Sequence, residues 1–135
     1  MSSPESVLES FINEMKVYEI KWGELMQKDL DAIFSDLNCE KRLAEIIYIQ
    51  NKYLSKKALS LDQARRVNLS FRTPPEYDQR ITDENILNSR TVEIFTAVND
   101  DSECRKFTLT LENEGWKIDK MSTNISNWKN SRQLF

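Results

Sequence analysis

The sequence contains no histidine. That removes the usual general base at neutral pH, the usual partner of a serine or cysteine nucleophile, and the commonest zinc ligand. Paired carboxylates, lysine or tyrosine can still carry acid–base chemistry, but the expectation moves from catalysis toward binding, with no metal and no cofactor. Cysteine is scarce too. Cys39 and Cys104 fall in different expected elements and form no Cys-x-x-Cys pair, which reads as two reduced thiols of a cytosolic protein. No apolar run approaches the length needed to cross a bilayer. The start, Met1-Ser2-Ser3-Pro4-Glu5, lacks the basic and apolar regions of a secretory signal. The expected location is therefore cytoplasmic, with no membrane partner. Internal repeats and linkers are also missing.

What is present is a globular composition. With 135 residues, 39% hydrophobic and 30% charged, the chain fits one domain spanning 1–135. A domain of this size buries roughly 68–70% of its unfolded surface and folds without disulfides or a structural metal. The net charge of −3 is unevenly spread. Residues 1–40 hold nine acids against three lysines, and residues 41–73 hold eight bases against Glu45 and Asp62. Residues 74–119 return to eleven acids against five bases. An acidic surface repels phosphate backbones and steers basic proteins, so a basic protein partner is expected and direct nucleic-acid binding is not.

The first element reads as a long amphipathic helix. Ser3 suits the cap, Pro4 the first helical position, and Glu5 the positive end of the dipole. Apolar residues follow at threes and fours through Val7, Leu8, Phe11, Ile12, Met15, Tyr18, Trp22, Leu25 and Met26. The stripe continues through Leu30, Ile33, Phe34 and Leu37 to Asn38, with Gly23 a point where the helix can loosen. A second helix is expected from Glu40 to about Leu54, using Leu43, Ile46, Ile47, Gln50 and Leu54. Ser60-Leu61-Asp62-Gln63 has the spacing of a capping box and suits the start of a third.

The period then changes to two. Val67, Leu69 and Phe71 alternate as a strand that Pro74-Pro75 stops. A polar loop follows. Val92, Ile94 and Thr96 mark the next strand, Asn99-Asp100-Asp101-Ser102 a turn, and Arg105, Phe107, Leu109 and Leu111 one face of another strand. Glu112-Asn113-Glu114-Gly115 is a second turn. Trp116, Ile118 and Lys120 then alternate with Lys117, Asp119 and Met121. Helices followed by an antiparallel meander give an α+β class, with N-terminal helices packed on one face of a curved antiparallel sheet as a cone.

The stretch Leu69-Ser70-Phe71-Arg72-Thr73-Pro74-Pro75-Glu76-Tyr77-Asp78, with Trp116-Lys117-Ile118-Asp119-Lys120 and Trp128, resembles a known family. This is the immunity-protein family with the cone-shaped nuclear transport factor 2 fold, found beside toxin genes in bacterial polymorphic toxin systems. Phe11, Met15 and Tyr18-Glu19 fit it as well. The resemblance implies a small cytoplasmic protein that binds and blocks the toxin domain of a neighbouring gene product, most often a nuclease, in interbacterial competition. It carries over no binding residue.

Candidate partner-binding residues come instead from the acidic segments: Glu76, Tyr77 and Asp78 after the prolines, Asp83 and Glu84, and Asp100 and Asp101. Each also has an ordinary reading, as a rigid proline loop or as solvated turn acids beside strand ends. The functional reading makes them an acidic rim facing a basic toxin. Trp22, Trp116 and Ile118 read as core. The alternative function, a small-molecule carrier or an enzyme using the cone pocket, has only Asp119, Tyr48, Tyr53 and Tyr77 to work with. Asp119 alternates away from Ile118 and is expected on the opposite side of the sheet. Lys52, Lys56, Lys57, Arg65 and Arg66 read as a solvated helix end and connector. Monomer and homodimer both stay open.

Overall fold

A computed structural model of the chain describes residues 3–60, 79–98, 104–124 and 132–133. The strand expected at 67–73, the turn at 99–102, and the candidate residues Glu76, Tyr77, Asp78, Asp100 and Asp101 lie outside the described residues.

The first helix, α1, runs Pro4–Lys28 and starts as its sequence dictates. Ser3 caps it by accepting a hydrogen bond from the Ser6 amide at 3.2 Å, and Pro4 opens the first turn. It does not break at Gly23. It ends at Asp29, whose backbone is extended and whose carboxylate accepts from the Ala32 amide at 3.1 Å, capping a one-turn helix α2, Leu30–Ile33. A short polar side chain that bonds a nearby amide competes with helix continuation. Ser35 repeats the device for α3, Asp36–Tyr53, which therefore begins four residues before Glu40. The apolar stripe fails beyond Lys28: Ile33 is buried, but Leu30, Phe34 and Leu37 are exposed. Two changes of direction rotate them off the core-facing side. In α3 the buried positions are Arg42, Ile46, Ile49 and Gln50, while Leu43 lies outside. A further short helix, α4, Lys56–Leu59, is capped by Ser55 and ends at Ser60; the helix expected to open at Ser60-Leu61-Asp62-Gln63 would run beyond Ser60, outside the described residues.

The sheet is an antiparallel meander of β1 (Gln79–Asn88), β2 (Thr91–Val98), β3 (Cys104–Glu112), β4 (Gly115–Asn124) and a two-residue β5 (Arg132–Gln133), in that spatial order. The segment expected as a polar loop before Thr91 is strand β1. Extra residues at Thr82 and Leu87 break its register against β2, and most of its side chains face solvent. A strand that is outermost among the described residues, held by ladder bonds and interrupted by bulges, leaves no period-two pattern in its sequence. The turn at Asn113-Glu114 closes β3 onto β4 with Glu112 opposite Gly115, whose φ of 127° favours glycine.

Alternation in β2 and β3 is as expected. Val92, Ile94 and Thr96, then Arg105, Phe107 and Leu109, point inward. In β4 the pattern slips. Thr108 pairs with Lys120 and Leu109 with Ile118, so Asp119 is an extra residue, and Met121 joins Ile118 in the core instead of facing away. This inner face packs against Leu8, Phe11, Ile12, Met15, Tyr18 and Trp22 of α1. Phe11 meets the Phe107 and Tyr53 rings edge-on, with centroids 6.4 and 5.9 Å apart. The result is the α+β cone expected: N-terminal helices over a curved antiparallel sheet.

Candidate partner-binding surface

Asp83 and Glu84 were expected in a loop, but they lie within β1, opposite Phe95 and Ile94 of β2. Asp83 is exposed, and its Oδ1 accepts from the Glu84 amide at 2.8 Å. Glu84 is half-buried and shares a hydrogen bond with Glu5 in the first turn of α1. That bond, reinforced by desolvation and by the Glu5 charge, pushes the Glu84 carboxyl up to about 7. The same bond, with backbone and Ser3 donors, holds Glu5 below its ordinary value. Near neutrality the two carboxyls therefore hold one proton for part of the time, and Glu84 contributes less negative charge than its formula suggests.

A pH dependence follows. Between the ordinary 4.5 and about 7, folded Glu84 keeps a proton that the unfolded chain has lost. Its contribution to stability is therefore present at the acidic side of that window and disappears as pH rises through it. Because the pair faces solvent, the change is about 0.5 kcal/mol. Glu84→Gln preserves a donor to Glu5 and removes the titration. Its thermal midpoint is expected to fall less than wild type's between pH 5 and pH 7.5; an identical decline in both would contradict the pairing.

On the helical side, α1 and α3 frame a groove of about 390 Å³ lined by Asn13, Glu14, Val17, Tyr18, Lys21, Glu45, Tyr48 and Ile49. Its charged groups pair across the helices. Glu14 accepts from Lys52 Nζ at 2.8 Å and from the Tyr53 hydroxyl; Glu45 accepts from Trp22 Nε1 at 2.7 Å and from Lys21. Burial raises Glu14, but the Lys52 and Tyr53 bonds outweigh it and hold the carboxyl below its usual value. Burial pushes the Tyr18 phenol up to about 12, despite the Arg42 guanidinium, so it stays neutral. The floor is thus apolar and the rim internally neutralised. No sequence pattern announced this groove, although Val17 and Tyr48 are apolar residues off the main stripes of their helices.

Of the four residues available to a catalytic centre, three are among the described residues, each in a contact of its own. Asp119 accepts from Ser55 Oγ at 2.7 Å, Tyr53 is bonded to Glu14, and Tyr48 is exposed with Lys52 over its ring at 5.0 Å. The inner face of the sheet is closed by side chains with no exposure, among them Ile94, Phe107, Leu109 and Ile118. Lys52 pairs with Glu14, and Lys117 donates to the Lys52 carbonyl at the end of α3. Lys56 and Lys57 open α4, while Arg65, Arg66 and Tyr77 lie outside the described residues. Among the described residues, no group of three or more acids and cysteines could hold a metal ion, and no helix is long and apolar enough to cross a membrane.

Comparison with known proteins agrees with this architecture. The chain is similar to immunity protein RhsIA of Dickeya dadantii (strain 3937), with 27% identity over 122 residues that cover 89% of this chain and 86% of that protein. No solved structure matches it significantly. The family described as NTF2 fold immunity protein matches residues 3–131, from the cap of α1 to the edge of β5. A helix-covered antiparallel sheet and a match along nearly the whole length place this chain in the NTF2 fold immunity protein family.

Proposed function

We propose that this chain neutralises a cognate toxin domain by binding it in the bacterial cytoplasm, without catalysis of its own, and that the toxin is a nuclease used in interbacterial competition. The observation that carries the reading is the family match over residues 3–131. Charge supports the choice of nuclease. A nuclease needs a basic groove for its substrate's phosphates, and a protein of net charge −3 with dense acidic segments reuses that charge for steering and competition. The inhibitor covers or fills the groove, and the substrate is excluded.

Asp83 is part of the proposed acidic rim, together with Glu76, Tyr77, Asp78, Asp100 and Asp101 from the neighbouring segments; Glu84 contributes the weaker charge of a shared proton. Replacing Glu76, Asp83, Asp100 and Asp101 together by lysine is expected to slow association about tenfold at low salt, with a smaller effect on dissociation. Stopped-flow binding reads this directly; unchanged rates would remove the rim from the account. The function itself is tested by recovering the tagged chain from its native host. One stoichiometric partner carrying a toxin domain, whose nuclease activity the purified chain abolishes, is the expected result. A small molecule held in the cone, with no protein partner, would overturn the reading.

A further inference from the structure

Three large apolar side chains, Leu30, Phe34 and Leu37, are exposed by 57, 62 and 61% within eight consecutive residues. They occupy the corner where α1 passes through α2 into α3. Only Ile33 of this segment turns inward, because Asp29 and Ser35 cap successive helices and redirect the chain twice. The corner is nevertheless firmly held. Asn38 Nδ2 donates to the Ala32 carbonyl at 2.8 Å, the Ser35 amide to the same carbonyl at 3.2 Å, and the Asp29 amide to the Leu25 carbonyl at 2.8 Å. Exposed apolar groups on a fixed backbone contribute binding energy without an ordering cost.

The surroundings specify the partner. From residue 24 to residue 40 the chain carries Glu24, Asp29, Asp31, Asp36 and Glu40, all exposed, against Lys28 alone. Two copies of such a surface repel each other, whereas a basic surface is attracted. We propose that this corner is the docking surface for the toxin domain, with Leu30, Phe34 and Leu37 as its apolar centre and the five acids as its charged border. The proposal rests on the immunity reading and adds a location to it. At 1.5 Å per residue, α1 places the corner roughly 35 Å from its first turn, where Glu5 meets Glu84. The corner and the β1 acids are therefore separable by mutation.

The probe is the toxin domain recovered with this chain from its native host, purified in catalytically inactivated form and titrated against the full-length protein. Phe34→Ser with Leu37→Ser is expected to weaken binding about 100-fold, chiefly by faster dissociation. Asp31→Lys with Asp36→Lys and Glu40→Lys is expected to slow association about tenfold at low salt. Ile86→Ser with Leu87→Ser, exposed apolar residues on β1 beside the rim acids, is the comparison and is expected to weaken binding far less than the corner variant. If wild type binds and protects while the Phe34/Leu37 variant binds equally well, the corner is not the interface and the immunity reading stands. If wild type itself fails to bind, both are overturned. Self-association of the wild type in sedimentation, abolished by the same variant, would assign the corner to a second copy and overturn the proposal.

Discussion

Replacing Phe11 by alanine is expected to cost about 3–5 kcal/mol of folding stability, the range for removing a buried aromatic ring from a packed core. Phe11 is 2% exposed, near the middle of the buried stripe of α1, and its ring meets Phe107 of β3 and Tyr53 of α3 edge-on. Its ring joins the first helix, the third helix and the sheet. Deleting it removes transfer energy and leaves a cavity that three elements cannot all move to fill. Edge-to-face contacts add about 0.5–1.5 kcal/mol each beyond area burial. Urea unfolding followed by tryptophan fluorescence reads the change as a lower midpoint at unchanged slope. A loss under about 1 kcal/mol, far short of the aromatic-to-alanine range, would mean that α1 does not pack on the sheet as described.

Ser55→Ala is expected to cost about 2–3 kcal/mol, a large effect for one hydroxyl, because that oxygen has two tasks. It caps α4 by accepting from the Ala58 amide at 3.1 Å, and it donates to Asp119 at 2.7 Å. Its own amide bonds the Ile118 carbonyl at 2.8 Å, beside the parallel bridge between Leu54 and Ile118. Ser55, only 1% exposed, thus latches the helical layer to β4 at the bulge. The alanine variant loses the cap and leaves the Asp119 carboxylate short of a donor. Asp119→Ala in the Ser55→Ala background is expected to recover about 1 kcal/mol, since no orphaned carboxylate then remains. Additive losses in the double variant would show that the two side chains do not interact.

Much of this framework is legible in the residues. Ser3, Pro4 and Glu5 fix the start of α1, its stripe from Leu8 to Trp22 fixes the buried face, and β2 and β3 follow from clean alternation. Failures concentrate where local chemistry overrides period. Asp29, a capping residue inside an apolar stripe, stops α1 while Gly23 does not. The bulge at Asp119 moves Met121 inward, and bulges at Thr82 and Leu87 with mostly exposed side chains conceal β1 altogether. Of the candidate surface, the sequence reveals charge but not proximity. Glu5 and Glu84 are seventy-nine positions apart, and their shared proton depends on tertiary packing. Leu30, Phe34 and Leu37 continue a helical stripe by spacing; only the turns at Asp29 and Ser35 place them outside.

Toxin neutralisation is tested most directly in growing cells. The toxin domain recovered with this chain from its native host is expressed from an inducible promoter in a bacterium lacking both genes, with and without the chain. The account predicts arrest with the toxin alone and restored growth when the folded chain accumulates in stoichiometric amount. Continued killing in the presence of abundant, folded chain would contradict it.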